Sequence, residues 1–167
     1  MSKKIFSSLG YVASLHLHPL KGGDAFQSVE SFEVEAGKGI VGNPRYFARK
    51  NRDGSASKRQ VSLVEREQIS EHTLALGLQS ISAGTIRSNI ETEGVDLISL
   101  IEKEIQIGTA ILYFYEARTG CAKMDAICLG LRELTAGNRL GVLAQVIRSG
   151  RIQIGDAILL AKEKLVA

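Results

Sequence analysis

One octapeptide occurs twice in this chain. Ile105-Gln106-Ile107-Gly108-Thr109-Ala110-Ile111-Leu112 returns as Ile152-Gln153-Ile154-Gly155-Asp156-Ala157-Ile158-Leu159, with Thr109 against Asp156 as the only difference. Each copy reads as a strand, a glycine turn and a second strand. Glycine at such a corner lets a strand bend sharply, as a closed sheet requires. Eight residues are too few for a solenoid repeat. The 17 glycines and short β-branched runs show no regular strand–helix alternation, which disfavours a parallel α/β fold. The prediction is a mainly β fold: an antiparallel β-barrel with a few flanking α-helices. A length of 167 residues suits one domain over 1–167, with its core at about 20–160.

Taken in order, Met1 to Gly10 reads as a loose start and Tyr11 to His18 as a strand. Alternation puts Tyr11, Ala13, Leu15 and Leu17 on one face, and His16 and His18 on the other. Solvated strand histidines are expected there, since no third metal ligand accompanies the pair. Ser28 to Ala36 reads as a strand with Phe32, Val34 and Ala36 inward. Gln60 to Val64 is a third, and Glu65 to Leu76 a helix stopped by Gly77. Alternation over Gly84 to Ile90 places Arg87 and Asn89 side by side on a strand, a donor-rich spot. Met124, Ile127, Cys128, Leu131 and Leu134 form one helical stripe. Leu140 to Arg148 is a strand, and Ser149-Gly150 is read as a two-residue hairpin into Arg151 to Ile154.

Two segments carry candidate chemistry. Residues 42–59 hold Arg45, Arg49, Lys50, Arg52, Lys58 and Arg59 against Asp53 alone, more net charge than the whole chain's +3. Tyr46 and Phe47 in that loop could stack on a ring. A loop of this length suggests function, and a phosphate-bearing small molecule is the preferred partner. Nucleic acid fits less well, because no basic helix or stacking sheet accompanies the loop. The Gly-rich turn after His18 sets Lys21 where it could meet an anion. The second segment is Arg118-Thr119-Gly120-Cys121-Ala122-Lys123-Met124. Cys121 sits at or just before a helix N-terminus between two cations, and both features favour the thiolate.

Two cysteines are too few for a disulfide framework. Cys128, on the apolar stripe, reads as a small core residue. No secretory leader and no apolar run long enough for a membrane span is evident. A reducing cytoplasm, without membrane contact, is the expected setting.

In order and spacing, several short pieces resemble the MOSC domain, the module at the C-terminus of molybdenum cofactor sulfurases. They are Pro19-Leu20-Lys21, Gly42 opening the basic loop, Gln60-Val61-Ser62-Leu63, Arg87-Ser88-Asn89-Ile90 and Gly94-Val95-Asp96-Leu97. Gly120-Cys121-Ala122, Gly141-Val142 and Gly150 leading to Gly155-Asp156 complete the series, which covers roughly Lys21 to Leu160. The resemblance implies a β-barrel and a reactive Cys121, either as a thiolate ligand to molybdenum or as a persulfide carrier. It implies that Lys21, Arg87 and Asn89 hold the phosphate-bearing pterin, with Arg45 as a further cofactor-binding residue. A cysteine desulfurase or another sulfur donor is the implied partner. Some family members add a pyridoxal-phosphate domain, for which this chain is too short. The family often has Gly-Asp-Arg where this chain has Gly42-Asn43-Pro44-Arg45, and Pro where Gly120 stands. The competing expectation is a non-catalytic module that uses loop 42–59 to bind a nucleotide, RNA or protein.

Overall fold

The computed structural model describes residues 8–120 and 122–161. The chain opens with β1 (Gly10–Leu17), β2 (Gln27–Val29), β3 (Ser31–Glu35) and β4 (Gly39–Ile40). Then come β5 (Val61–Glu65), α1 (Arg66–Ala75), β6 (Ile90–Glu93), a 3-10 turn (Ile98–Leu100), β7 (Glu104–Ile107) and β8 (Ala110–Ala117). Two short helices, α2 (Ala122–Ile127) and α3 (Leu131–Leu134), precede β9 (Val142–Arg148), β10 (Gly150–Gln153) and β11 (Ala157–Leu160).

The two octapeptide copies make different corners, and the second closes the barrel. In the first, β7 and β8 form an antiparallel hairpin with Ile107 opposite Ala110. In the second, the chain leaves a three-stranded sheet ordered β10-β3-β4 and enters the main sheet as β11. There Ile158 lies opposite Ile107 of β7 on one side and Gly10 of β1 on the other. The ring β11-β7-β8-β9-β5-β6-β1 is thereby complete, with β2 added outside on β1. The predicted antiparallel pairing holds for every join of the ring except β5–β6, which is parallel. Strands in register but parallel need a crossover, and α1 with the turn after it supplies one.

Closure creates two apolar regions. Leu15, Leu63, Ile90, Leu112, Phe114 and Val142 fill the barrel interior. Val64, Ile69, Ile86, Met124, Leu131 and Leu140 form a smaller cluster between the barrel wall and the helices. Full burial of such a side chain contributes about 1.5–3 kcal/mol. The second cluster matters for function because it anchors Ile86 and Met124, which flank the site described below.

Several local expectations are corrected. The β1 alternation breaks at a bulge between Val12 and Ser14. The bulge shifts the phase, so Val12 rather than Tyr11 joins Leu15 in the core. On the opposite face His16 is buried under the Gly84–Asn89 turn, its Nδ1 2.9 Å from the Ser88 carbonyl oxygen, and His18 is half-buried against Phe26 and Tyr46. The histidines are therefore not solvated. The strand predicted over Ser28–Ala36 is interrupted at Glu30, and Ala36 is exposed. Gly84 to Asn89 is a turn rather than a strand, with Arg87 at φ 64°. The stripe from Met124 to Leu134 is split between α2 and α3, because Gly130 takes a left-handed φ of 92°. Ser149-Gly150 does not fold β9 against β10, which pairs with β3 instead. Among the described residues, no helix is long and apolar enough to cross a membrane.

Candidate functional site

A row of stacked rings lies beside the end of β1. His18 is covered on one side by Phe26, with ring centroids 4.4 Å apart, and on the other by Tyr46 at 4.2 Å. The Arg87 guanidinium sits over Phe26 at 4.8 Å, and those of Arg49 and Arg59 lie over Tyr46 at 5.2 and 5.7 Å. Cation–π attraction and stacking hold these groups in one continuous line. Around it opens a cavity of about 160 Å³ lined by His18, Phe26, Arg45, Tyr46, Arg59, Arg87, Arg118 and Met124. Four guanidiniums facing one small volume will attract an anion, and their fork geometry matches phosphate oxygens.

Arg87 and Arg118 are placed by identifiable local devices. Arg87 projects from the Gly84–Asn89 turn. Ile86 pins that turn into the smaller apolar cluster, and the Gly84 amide donates to the buried carboxylate of Glu91 at 2.7 Å. Glu91 in turn pairs with Arg66 at 3.2 Å. From this frame Arg87 donates to the Asp24 carbonyl at 3.1 Å. Arg118 is buried just past β8; its backbone amide donates to the Gly141 carbonyl at 2.9 Å, and its guanidinium to the Ile86 carbonyl at 3.1 Å. Arg45 and Arg87 both take left-handed backbone, φ 71° and 64°. Non-glycine residues pay about 1–2 kcal/mol there, and such strain tends to collect at functional sites.

Asn89 does not project into the cavity as a free donor. Its Oδ1 accepts from the Ser62 amide and hydroxyl, both at 3.1 Å, and its Nδ2 donates to the His16 carbonyl at 3.1 Å. It ties β5, β1 and the Arg87 turn together beneath the ring row. Asn43, also buried, does the corresponding work for His18. Its Oδ1 accepts from the His18 backbone amide at 2.8 Å and lies 3.0 Å from the ring Nδ1.

His18 is pushed down to about 4 from its ordinary 6.5. Burial is the main cause; the Asn43 hydrogen bond works against it, and the charges of Arg45, Arg87 and Arg59 add to the lowering. The ring is therefore neutral at pH 7. Because folding lowers the value, the stability that the neutral ring contributes is complete above 6.5 and is lost as pH falls through about 4.

Of the four predicted cofactor-binding residues, Arg45 and Arg87 line the cavity. Asn89 is buried next to it, in the wall of a small adjoining pocket with His18, Tyr46 and Arg59. Lys21 is exposed on the loop after His18 and is not among the lining residues. Cys121, the predicted reactive centre and metal ligand, lies outside the described residues. Its described neighbours bracket two cavities. Met124 lines the arginine cavity, and Gly120 lines a second of about 270 Å³ with Arg132, Thr135 and Asn138. Arg118 lines both. Among the described residues, no three His, Cys, Asp or Glu side chains are grouped to hold a metal ion.

Sequence reasoning missed His18, Phe26 and Met124 as lining residues. His18 was read as solvated because its covers, Phe26 and Tyr46, come from loops outside the strand, and Met124 looked like ordinary helix core. Phe26 had no signal, since a single aromatic in a loop carries none. The charge of loop 42–59 did point to Arg59 and Tyr46.

Comparison with known proteins agrees with this architecture. The MOSC domain model matches residues 38–159. None of the curated proteins matches this chain in sequence. Among solved structures, the YuaD protein from Bacillus subtilis superposes with a TM-score of 0.72 at 20% identity, covering 92% of this chain and 97% of that one. YiiM from Escherichia coli gives 0.67 at 16% identity, covering 90% of this chain and 69% of that one. YiiM from Geobacillus stearothermophilus gives 0.64 at 15%, covering 98% and 78%. At these identities the likeness is one of fold.

Proposed function

The chain belongs to the MOSC domain family, and on that premise we propose that the arginine cavity binds the phosphate-bearing end of a molybdenum–pterin cofactor, with Cys121 as its reactive thiol. The observation that carries this reading is the convergence of Arg45, Arg59, Arg87 and Arg118 with a row of aromatic rings on one cavity. Guanidiniums suit the phosphate, and the ring row fixes where two of them, Arg59 and Arg87, stand. In this reading Arg87 and Arg45 hold the anion, Arg118 neutralises charge from below, and Asn89 keeps the turn in place. Lys21 acts from the rim. When bound, the metal centre would supply redox chemistry, for which a soft thiolate is a suitable ligand.

The same thiol can serve as a sulfur carrier. The Cys121 thiolate attacks the outer sulfur of a donor's persulfide, the donor's S–S bond breaks, and the donor leaves as a thiolate. Cys121 then carries the persulfide, with no net oxidation. A cysteine desulfurase is a donor of the right chemistry, and the reducing cytoplasm is the compartment in which such a thiol persists.

Protein expressed in a molybdenum-replete host is expected to carry molybdenum or pterin phosphate, or to gain one sulfur at Cys121 with a desulfurase and cysteine. Cys121→Ala should abolish whichever of these is observed. Metal analysis and intact-mass spectrometry decide it. A wild-type protein showing none of them contradicts the proposal.

A further inference from the structure

The charged groups lining the arginine cavity are all pure donors, and the neutral His18 differs in kind. Phe26 and Tyr46 cover both faces of its ring, so only the ring edge can meet a ligand. One edge atom is already engaged. Asn43 Oδ1 accepts from the His18 backbone amide, which identifies that atom as oxygen rather than amide nitrogen. The ring Nδ1, 3.0 Å from the same oxygen, must then carry the hydrogen. The Asn89 amide nitrogen, 3.4 Å from Nδ1, donates to the His16 carbonyl instead. In the neutral ring the remaining atom, Nε2, is a bare lone pair. It has no hydrogen-bond partner among the described residues.

We infer that His18 Nε2 determines the specificity of the cavity, accepting a hydrogen bond from an O–H or N–H that the ligand carries on its anionic group. The ligand class is a protonatable oxyanion, such as inorganic phosphate or a phosphate monoester taken up as its singly protonated monoanion, in preference to one with no hydrogen to give. This inference rests on the reading of the cavity as an anion site. A fully deprotonated oxyanion would press an oxygen lone pair against the Nε2 lone pair, leaving a buried acceptor unsatisfied and repelled. Sites built to bond a ligand hydrogen reject analogues lacking it far better than apolar pockets reject isosteres.

Asn43 is the residue that keeps this acceptor. It is buried, and its Nδ2 has no hydrogen-bond partner among the described residues. Aspartate at that position would receive the same two His18 donors but favour a charged imidazolium. The charged groups facing His18 are Arg45, Arg59 and Arg87, all of which oppose that charge. Asn43 and Asn89 are the uncharged polar neighbours, with Tyr46 on one ring face. Protonation, by acid or through Asn43→Asp, turns Nε2 into a donor and removes the discrimination.

The probes are inorganic phosphate, which keeps at least one O–H near neutral pH, and sulfate, which has none. Titration calorimetry at pH 7 and constant ionic strength should show wild-type protein preferring phosphate by about tenfold or more. His18→Phe, which keeps the stack but has no acceptor, should bring the two anions within about twofold. His18→Gln, which offers an amide oxygen, should restore part of the preference, and Asn43→Asp should lift sulfate binding relative to wild type. Circular dichroism confirms that each variant is folded. Equal binding of both anions by wild type, or a phosphate preference unchanged in His18→Phe, overturns the inference while leaving the cavity an anion site. Binding of neither anion by wild type overturns the anion-site reading and the inference together.

Discussion

Arg87→Ala is expected to weaken phosphate binding by about 10- to 100-fold, since one charge-assisted contact is worth about 1.5–3 kcal/mol. Arg87→Gly should weaken it as much. The two variants should differ in stability, because position 87 has φ 64° and alanine keeps that strain where glycine does not. Arg87→Gly should unfold at higher urea, more stable than Arg87→Ala by about 1 kcal/mol. A residue kept for packing alone would show no loss of anion binding in either variant. A residue kept for its charge, on backbone that costs energy, shows the loss in both and the stability difference between them. Equal stability of the two would mean that the turn, held by Ile86 and Glu91, relaxes around the substitution.

Gly108→Ala should destabilise the protein by about 3 kcal/mol or more, because a Cβ there collides with the Arg151 carbonyl oxygen on backbone at φ 58°. Gly155→Ala, the same change in the other copy of the octapeptide, should cost only about 1 kcal/mol. Gly155 has φ 88°, but nothing lies within 4 Å of the added carbon. Nearly the same sequence therefore serves two different ends. The Gly108 corner is packed against the strand that leads into the second copy, whose Arg151 amide donates to the Thr109 hydroxyl at 2.8 Å. The Gly155 corner faces open space. Urea denaturation of the two single variants reads the difference directly. Similar losses in both would mean that the corners are not docked as described.

The barrel was legible because its signals are local and periodic. The repeated corners and glycine-ended strands needed no knowledge of distant partners. What escaped was non-local. The parallel β5–β6 join depends on how α1 packs back, and its residues carry no mark of it. The bulge between Val12 and Ser14 inverted the reading of Tyr11 and Val12, because an inserted residue changes the face that side chains take across it. His16 and His18 lie on the expected face and are buried by segments the strand itself gives no sign of, the Gly84–Asn89 turn and the rings of Phe26 and Tyr46. The Arg87–Asn89 pair was singled out on the wrong local structure. They are not neighbours on a strand face: Arg87 reaches into the cavity while Asn89 is consumed beneath it in hydrogen bonds to Ser62 and His16. The basic loop was the clearest functional signal, since an excess of arginine with Tyr46 is written directly in the sequence. Even so, the sequence could not say that Arg59 would meet Arg118 across the barrel end.

The central claim is that Arg45, Arg59, Arg87 and Arg118 form one anion site. The most direct test is nitrogen–proton NMR of the arginine Nε–H groups during titration with inorganic phosphate. The account predicts that these four signals shift together and saturate at one concentration, while those of Arg139 and Arg151, which lie elsewhere on the fold, stay in place. Shifts confined to Arg49 and Arg52 on the outer loop, or spread evenly over all arginines, would contradict it.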